Sequence, residues 1–103
     1  MTSQKDTIKI KMYYLDIKEE ADKIFTKLSK KNPKQLEIID KKIQKLRENP
    51  YHIYKFLKEP LQTFKRVHID NHFVLIFKIN HELKSVIIYY FDHHDDIYKW
   101  RPK

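Results

Sequence analysis

The sequence predicts an α+β fold, a small, mainly antiparallel sheet with a helical hairpin packed on one face. Three observations predict it. Two stretches with helical apolar spacing lie back to back in the first half of the chain. Three short strand-like runs follow one another from Phe64 to Phe91. A further alternating run, residues 8–14, precedes the helices. The order is β-α-α-β-β-β plus a short C-terminal segment. A length of 103 residues suits one domain with a real core and is too short for two. Residues 8–103 are therefore read as a single domain behind a polar, disordered N-terminus at 1–7.

Residues 8–14 (IKIKMYY) alternate apolar residues with Lys, the pattern of a strand with one face exposed. Asp16 is placed as the cap of a helix in which Ile17, Ala21, Ile24, Phe25 and Leu28 recur at helical spacing. Asn32-Pro33-Lys34-Gln35 starts the next helix, with Asn32 as N-cap, Pro33 at the first position and Gln35 as capping partner. Leu36, Ile39, Ile43 and Leu46 form its apolar stripe, and Asn49-Pro50 ends it. Phe64–Ile69, His72–Ile79 and Ser85–Phe91 are strands, separated by turns at Asp70-Asn71 and Asn80-His81-Glu82. Their long apolar runs suit central strands buried on both faces.

Composition narrows the function. With 22 basic and 14 acidic side chains the net charge is +8, so a polyanionic partner is the first to consider. All six histidines (52, 68, 72, 81, 93 and 94) fall in the second half, and any chemistry belongs there. There is no glycine, so neither GxGxxG nor GxxxxGK[ST] can be written, and turns must use Asn and Asp. Cysteine is also absent, which removes disulfides and thiolate metal sites. No apolar run is long enough to span a bilayer, and MTSQKD is not a secretion signal. The expectation is a cytoplasmic protein that does not engage membranes.

A two-residue loop at Asp70-Asn71 would pair Ile69 with His72 and set His68 opposite Phe73. One face would then carry Phe64, Arg66, His68, Phe73, Leu75 and Phe77, and the other Lys65, Val67, Ile69, His72, Val74 and Ile76. Helices can cover only one. The apolar face with Arg66 and His68 set into it is read as the site. The chain ends in YYFDHHDDIYKW, a strand breaking into a cluster of His and Asp before further aromatics. Trp100 is read as an anchor for the C-terminus. His52, His72 and His81 are read as surface residues. His68 and His72 would point to opposite faces of a hairpin and His93-His94-Asp95-Asp96 lacks a metal-ligand spacing, so no metal or cofactor is expected.

Leu57-Lys58-Glu59-Pro60-Leu61-Gln62-Thr63-Phe64-Lys65-Arg66-Val67-His68-Ile69 resembles the pattern of the RelE/ParE toxin superfamily, and of the RelE-type messenger-RNA interferases in particular. Asp92-His93-His94-Asp95-Asp96-Ile97-Tyr98-Lys99 is similar to that family's closing Gly-His-Arg-x-[Asp/Glu]-Val-Tyr-[Arg/Lys]. The resemblance covers about residues 8–99, helical hairpin included. It implies a toxin that cleaves messenger RNA, in many members on the ribosome, and a cognate antitoxin, here expected to be a short acidic protein. Carried over by position, it implies catalytic roles for Arg66, His93, His94 and Tyr98; Lys55, Lys65, His68 and Lys99 are expected to bind substrate. The family often has Arg at the positions of Phe73 and His94, and Gly at that of Asp92.

Metal-independent RNA cleavage needs a base for the 2′-hydroxyl, cations for the phosphorane and an acid for the leaving 5′-oxygen. Histidine suits the proton roles and arginine the phosphate. Arg66 is assigned the phosphate, His94 ahead of His93 a proton transfer, and Tyr98 base stacking or a share in proton transfer. The alternatives are a gyrase-poisoning toxin of the ParE kind and a catalytically degenerate RNA-binding relative.

Overall fold

The computed structural model describes residues 12–103. The expected N-terminal segment 1–7 and the first part of the expected strand, 8–11, lie outside the described residues. The elements are β1 (Tyr14–Ile17), α1 (Glu19–Lys31), α2 (Pro33–Glu48), β2 (Lys55–Phe56), β3 (Lys65–Ile69), β4 (Phe73–Asn80), β5 (Ser85–His93) and a 3₁₀ turn at Ile97–Lys99. The strands form one open sheet in the order β1-β5-β4-β3-β2. β1 runs parallel to β5 and every other pairing is antiparallel. This is the α+β architecture read from the sequence, with one strand more, because β2 is two residues long and too short to leave a period-two signal.

The start of α1 is corrected. Asp16 and Ile17 belong to β1, and the helix begins after Lys18, whose backbone is extended and which supplies no side-chain cap. Glu19, Glu20 and Asp22 in the first turn oppose the helix dipole instead of a capping oxygen. The start of α2 matches its signal at Asn32 and Pro33 but not at the reciprocal cap, because the Asn32 N–H donates to Leu28 O at 2.8 Å and not to the Gln35 side chain. Asn32 Oδ1 accepts from the Gln35 N–H at 3.2 Å, and Pro33 follows at the first position. Ile39, Ile43 and Leu46 of α2 and Ala21 and Phe25 of α1 are buried against Ile69, Leu75, Phe77, Val86, Ile88 and Phe91 of the sheet.

The turn between β3 and β4 changes the reading of the faces. Ile69 pairs with Phe73, not with His72, so the loop has three residues, Asp70, Asn71 and His72. Asp70 (φ 56°) and Asn71 (φ 66°) are both left-handed, the conformation these side chains tolerate best in a chain without glycine. A one-residue slip moves every β4 side chain to the other face. Phe73, Leu75 and Phe77 therefore face the helices, whereas Val74 and Ile76 stand beside His68 and Arg66.

A second irregularity acts on β5. Ile76 pairs with Tyr90 and Phe77 with Ile88, leaving Tyr89 unpaired as a bulge. The bulge keeps Ile88 and Phe91 in the helix-side core and turns both Tyr89 and Tyr90 to the opposite face. There they join a second, smaller core of Leu57, Leu61, Phe64, Val74, Ile76, Ile97 and Trp100. The face away from the helices is thus not bare. The 57–64 loop and the C-terminal turn cover part of it and leave a cleft between them.

Candidate active site

The cleft has a volume of about 230 Å³ and is lined by Leu57, Lys58, Arg66, His68, Val74, His94, Ile97 and Tyr98. Five sequence segments supply it. β3 contributes Arg66 and His68, two residues apart and so on one face. β4 contributes Val74, directly opposite His68. The chain leaving β5 contributes His94, and the C-terminal turn contributes Ile97 and Tyr98. Leu57 and Lys58 form the remaining wall.

That wall is fixed by hydrogen bonds. Leu57 N–H donates to Phe64 O and Phe64 N–H to Leu61 O, both at 2.9 Å, which closes the loop on itself. Lys58 N–H donates to the Tyr98 hydroxyl oxygen at 2.8 Å, joining the loop to the C-terminal turn across the cleft. With that oxygen accepting, the phenolic hydrogen remains available to a ligand. Trp100 anchors the turn from behind. It is 6% exposed, stacks on Tyr90 at 5.2 Å and donates from Nε1 to Glu20 Oε1 at 2.9 Å.

Arg66 makes no ion pair with a carboxylate among the described residues, so its charge is directed at the cleft and not spent on the sheet. Lys58 and Lys55 add positive charge nearby; Lys55 is the direct cross-strand partner of Arg66 and shares its face. The His94 backbone N–H donates to His72 O at 2.8 Å, tying the end of β5 to the β3–β4 turn. Asp95 Oδ1 lies 3.1 Å from His94 Nδ1.

Of the residues singled out from the sequence, the cleft gathers Arg66, His68, His94 and Tyr98. It does not gather His93, whose side chain points to the helix side, edge-on to Phe73 at 5.3 Å. Lys65 lies opposite Phe77 on that same side, with its ammonium 5.3 Å from the Phe56 ring centroid. Lys99 bonds Asp96 Oδ1 at 3.1 Å and lines a separate hollow. Phe73 stacks on Phe91 at 5.3 Å in the helix-side cluster, so position 73 does not line the cleft. Lys58 and Val74 were missed. Lys58 lay within the quoted motif, where its backbone bond to Tyr98 had no sequence signal. Val74 was assigned to the wrong face by the loop length.

No family model matches the chain. A 51% identical relative from Methanocaldococcus jannaschii, described as "Putative toxin RelE4", matches over 88 residues, 85% of this chain and 93% of that protein. Among solved structures, the toxin–antitoxin complex RelBE2 from Mycobacterium tuberculosis superposes with a TM-score of 0.67 at 22% identity, covering 82% of this chain and 94% of that one. A free-state double Arg-to-Ala mutant of E. coli toxin RelE superposes at 0.65 and 20% identity, covering 85% and 92%. The low identities of the two structures speak to fold, the 51% identity over most of both chains to the Methanocaldococcus jannaschii relative speaks to family, and the chain belongs to the RelE toxins.

Proposed function

We propose that this toxin is an endoribonuclease that cuts messenger RNA at the Arg66–His94–Tyr98 cleft and acts within a toxin–antitoxin pair. The observation that carries the reading is the convergence of Arg66, His68, His94 and Tyr98, from three separated segments, on one hollow. Its volume of about 230 Å³ lies below the roughly 300–1,000 Å³ of small-molecule pockets. That size suits one phosphodiester of a strand lying across the surface better than an enclosed metabolite.

In this reading the Arg66 guanidinium holds two phosphate oxygens and offsets the charge that builds as the phosphorane forms. His94, whose Nδ1 lies 3.1 Å from Asp95 Oδ1, takes the 2′-hydroxyl proton or returns one to the leaving 5′-oxygen. The 2′-oxygen bonds to phosphorus, the bond to the 5′-oxygen breaks, and the products are a 2′,3′-cyclic phosphate and a 5′-hydroxyl. Tyr98 donates its phenolic hydrogen to a phosphate oxygen or stacks on a flanking base. His68, Lys58 and Lys55 complete the positive field.

The antitoxin would be a short acidic chain. In support, the net charge is +8, and Tyr14, Tyr51, Ile53, Phe56 and Leu83 are exposed apolar side chains suited to an amphipathic segment that folds on contact. The RelBE2 structure is a complex of a toxin with an antitoxin. Inducible expression tests the function. Growth arrest with cleaved message, mapped by primer extension, supports it. Arrest with intact message and broken DNA would indicate a gyrase poison, and no arrest a degenerate relative.

A further inference from the structure

The three-residue turn that corrects the face assignment has another effect. It brings His72 from the β3–β4 loop against His93 and His94 at the end of β5. One ligand nitrogen from each of the three imidazoles lies within 4.8 Å of the other two. The His72 and His93 rings are parallel, 2° apart at 6.2 Å, and the His93 and His94 rings lie 4.5 Å apart. The backbone fixes this grouping, because His94 N–H donates to His72 O and Phe73 pairs with His93.

We propose that His72, His93 and His94 form a binding site for a divalent transition-metal ion of the zinc class, at the sheet end beside the cleft. Three imidazoles with a water in the fourth position is an accepted zinc donor set. Zn–N bonds of about 2.0–2.1 Å in tetrahedral geometry need nitrogens about 3.3 Å apart, so closure from the observed separation takes small side-chain rotations. His72 and His94 are exposed and free to make them. Asp95 supplies the outer contact typical of such ligands, with carboxylate oxygens 3.1 Å from His94 Nδ1 and 3.5 Å from His93 Nδ1. With the carboxylate bonded at Nδ1, Nε2 would serve as the metal donor. His93 Nδ1 also lies 3.1 Å from the Asp95 N–H; metal binding through Nε2 puts the proton on Nδ1 and turns it to the carboxylate.

His94 belongs both to this cluster and to the cleft. An imidazole whose lone pair is on a metal cannot take up a proton, so occupancy removes His94 from RNA cleavage. This consequence rests on the proposed function; the binding site does not. The ion is then an inhibitor of the toxin, not a cofactor.

The test uses the full chain without a polyhistidine tag, titrated with zinc chloride against a chromogenic chelator. The expected result is one equivalent bound with micromolar or tighter affinity. His72→Ala should weaken it at least tenfold, Asp95→Asn by about 10–100-fold as an outer contact, and His52→Ala should leave it unchanged. No stoichiometric site, or equal affinity in the wild type and His72→Ala, overturns the proposal. His72 lies outside the cleft, so zinc should inhibit RNA cleavage by the wild type and spare His72→Ala. Tight binding without inhibition would keep the metal site and remove His94 from the catalytic reading.

Discussion

Trp100→Ala should show whether the second core is structural. Trp100 is nearly buried, stacked on Tyr90 with an interplanar angle of 12°, edge-on to Phe64 at 5.3 Å, and bonded through Nε1 to Glu20 across 80 positions of sequence. Removing a buried Trp costs about 3–5 kcal/mol, from lost transfer energy and the cavity left behind. Within that, the aromatic pairs account for about 0.5–1.5 kcal/mol each. Trp100→Phe keeps a ring in place and gives up the Glu20 bond and some area, so it should cost about 1–2 kcal/mol. A domain of this size is stable by about 5–15 kcal/mol, so the Ala variant should remain largely folded in water with a clearly lower urea midpoint. Unfolding is followed by far-UV circular dichroism, because Trp100 is the only Trp in the sequence and its fluorescence is lost with it. RNA cleavage should fall in the Ala variant although Trp100 does not line the cleft, because the turn carrying Tyr98 loses its anchor. A cost below about 1 kcal/mol with cleavage intact would refute the reasoning and make the C-terminal turn surface decoration.

Other outcomes follow from single contacts. Asn32→Ala should destabilise by about 1 kcal/mol in urea unfolding, through the lost cap on Gln35 N–H. Asn71→Val places a β-branched residue at φ 66° and should cost at least about 1–2 kcal/mol, whereas Asn71→Gly should be tolerated. Burial and the hydrogen bond to Asp92 push the Tyr90 hydroxyl up to about 12. The unfolded chain therefore loses this proton first, and stability should fall as pH rises from about 10 to 12, a slope that Tyr90→Phe should reduce. Tyr98→Phe leaves Lys58 N–H without its acceptor and should cost about 0.5–1.5 kcal/mol in the same assay.

Much of this molecule was legible in its sequence because local chemistry decided it. The α2 stripe and its Asn-Pro start were readable because cap and spacing are local, and the β3 pair Arg66 and His68 because alternation is. What was not legible depended on register and on partners distant in sequence. Asp70-Asn71 looks like a two-residue loop, and only the pairing of Ile69 with Phe73 shows that His72 is the third loop residue. The bulge at Tyr89 carries no glycine to mark it. The Lys58–Tyr98 bond spans 40 positions and engages a backbone donor, which no side-chain pattern reveals. His93 and His94 read alike as neighbours and their rings lie 4.5 Å apart, yet only His94, past the end of β5, lines the cleft.

The most direct measurement is the single-turnover cleavage rate of ribosome-bound message by purified wild type, Arg66→Ala, His94→Ala and Tyr98→Phe, with folding checked by circular dichroism. A general acid–base residue contributes about 10²–10⁴-fold. His94→Ala should therefore fall by that order, with Arg66→Ala also impaired, and the wild-type product should end in a 2′,3′-cyclic phosphate. Undiminished cleavage by folded Arg66→Ala and His94→Ala proteins would contradict the account.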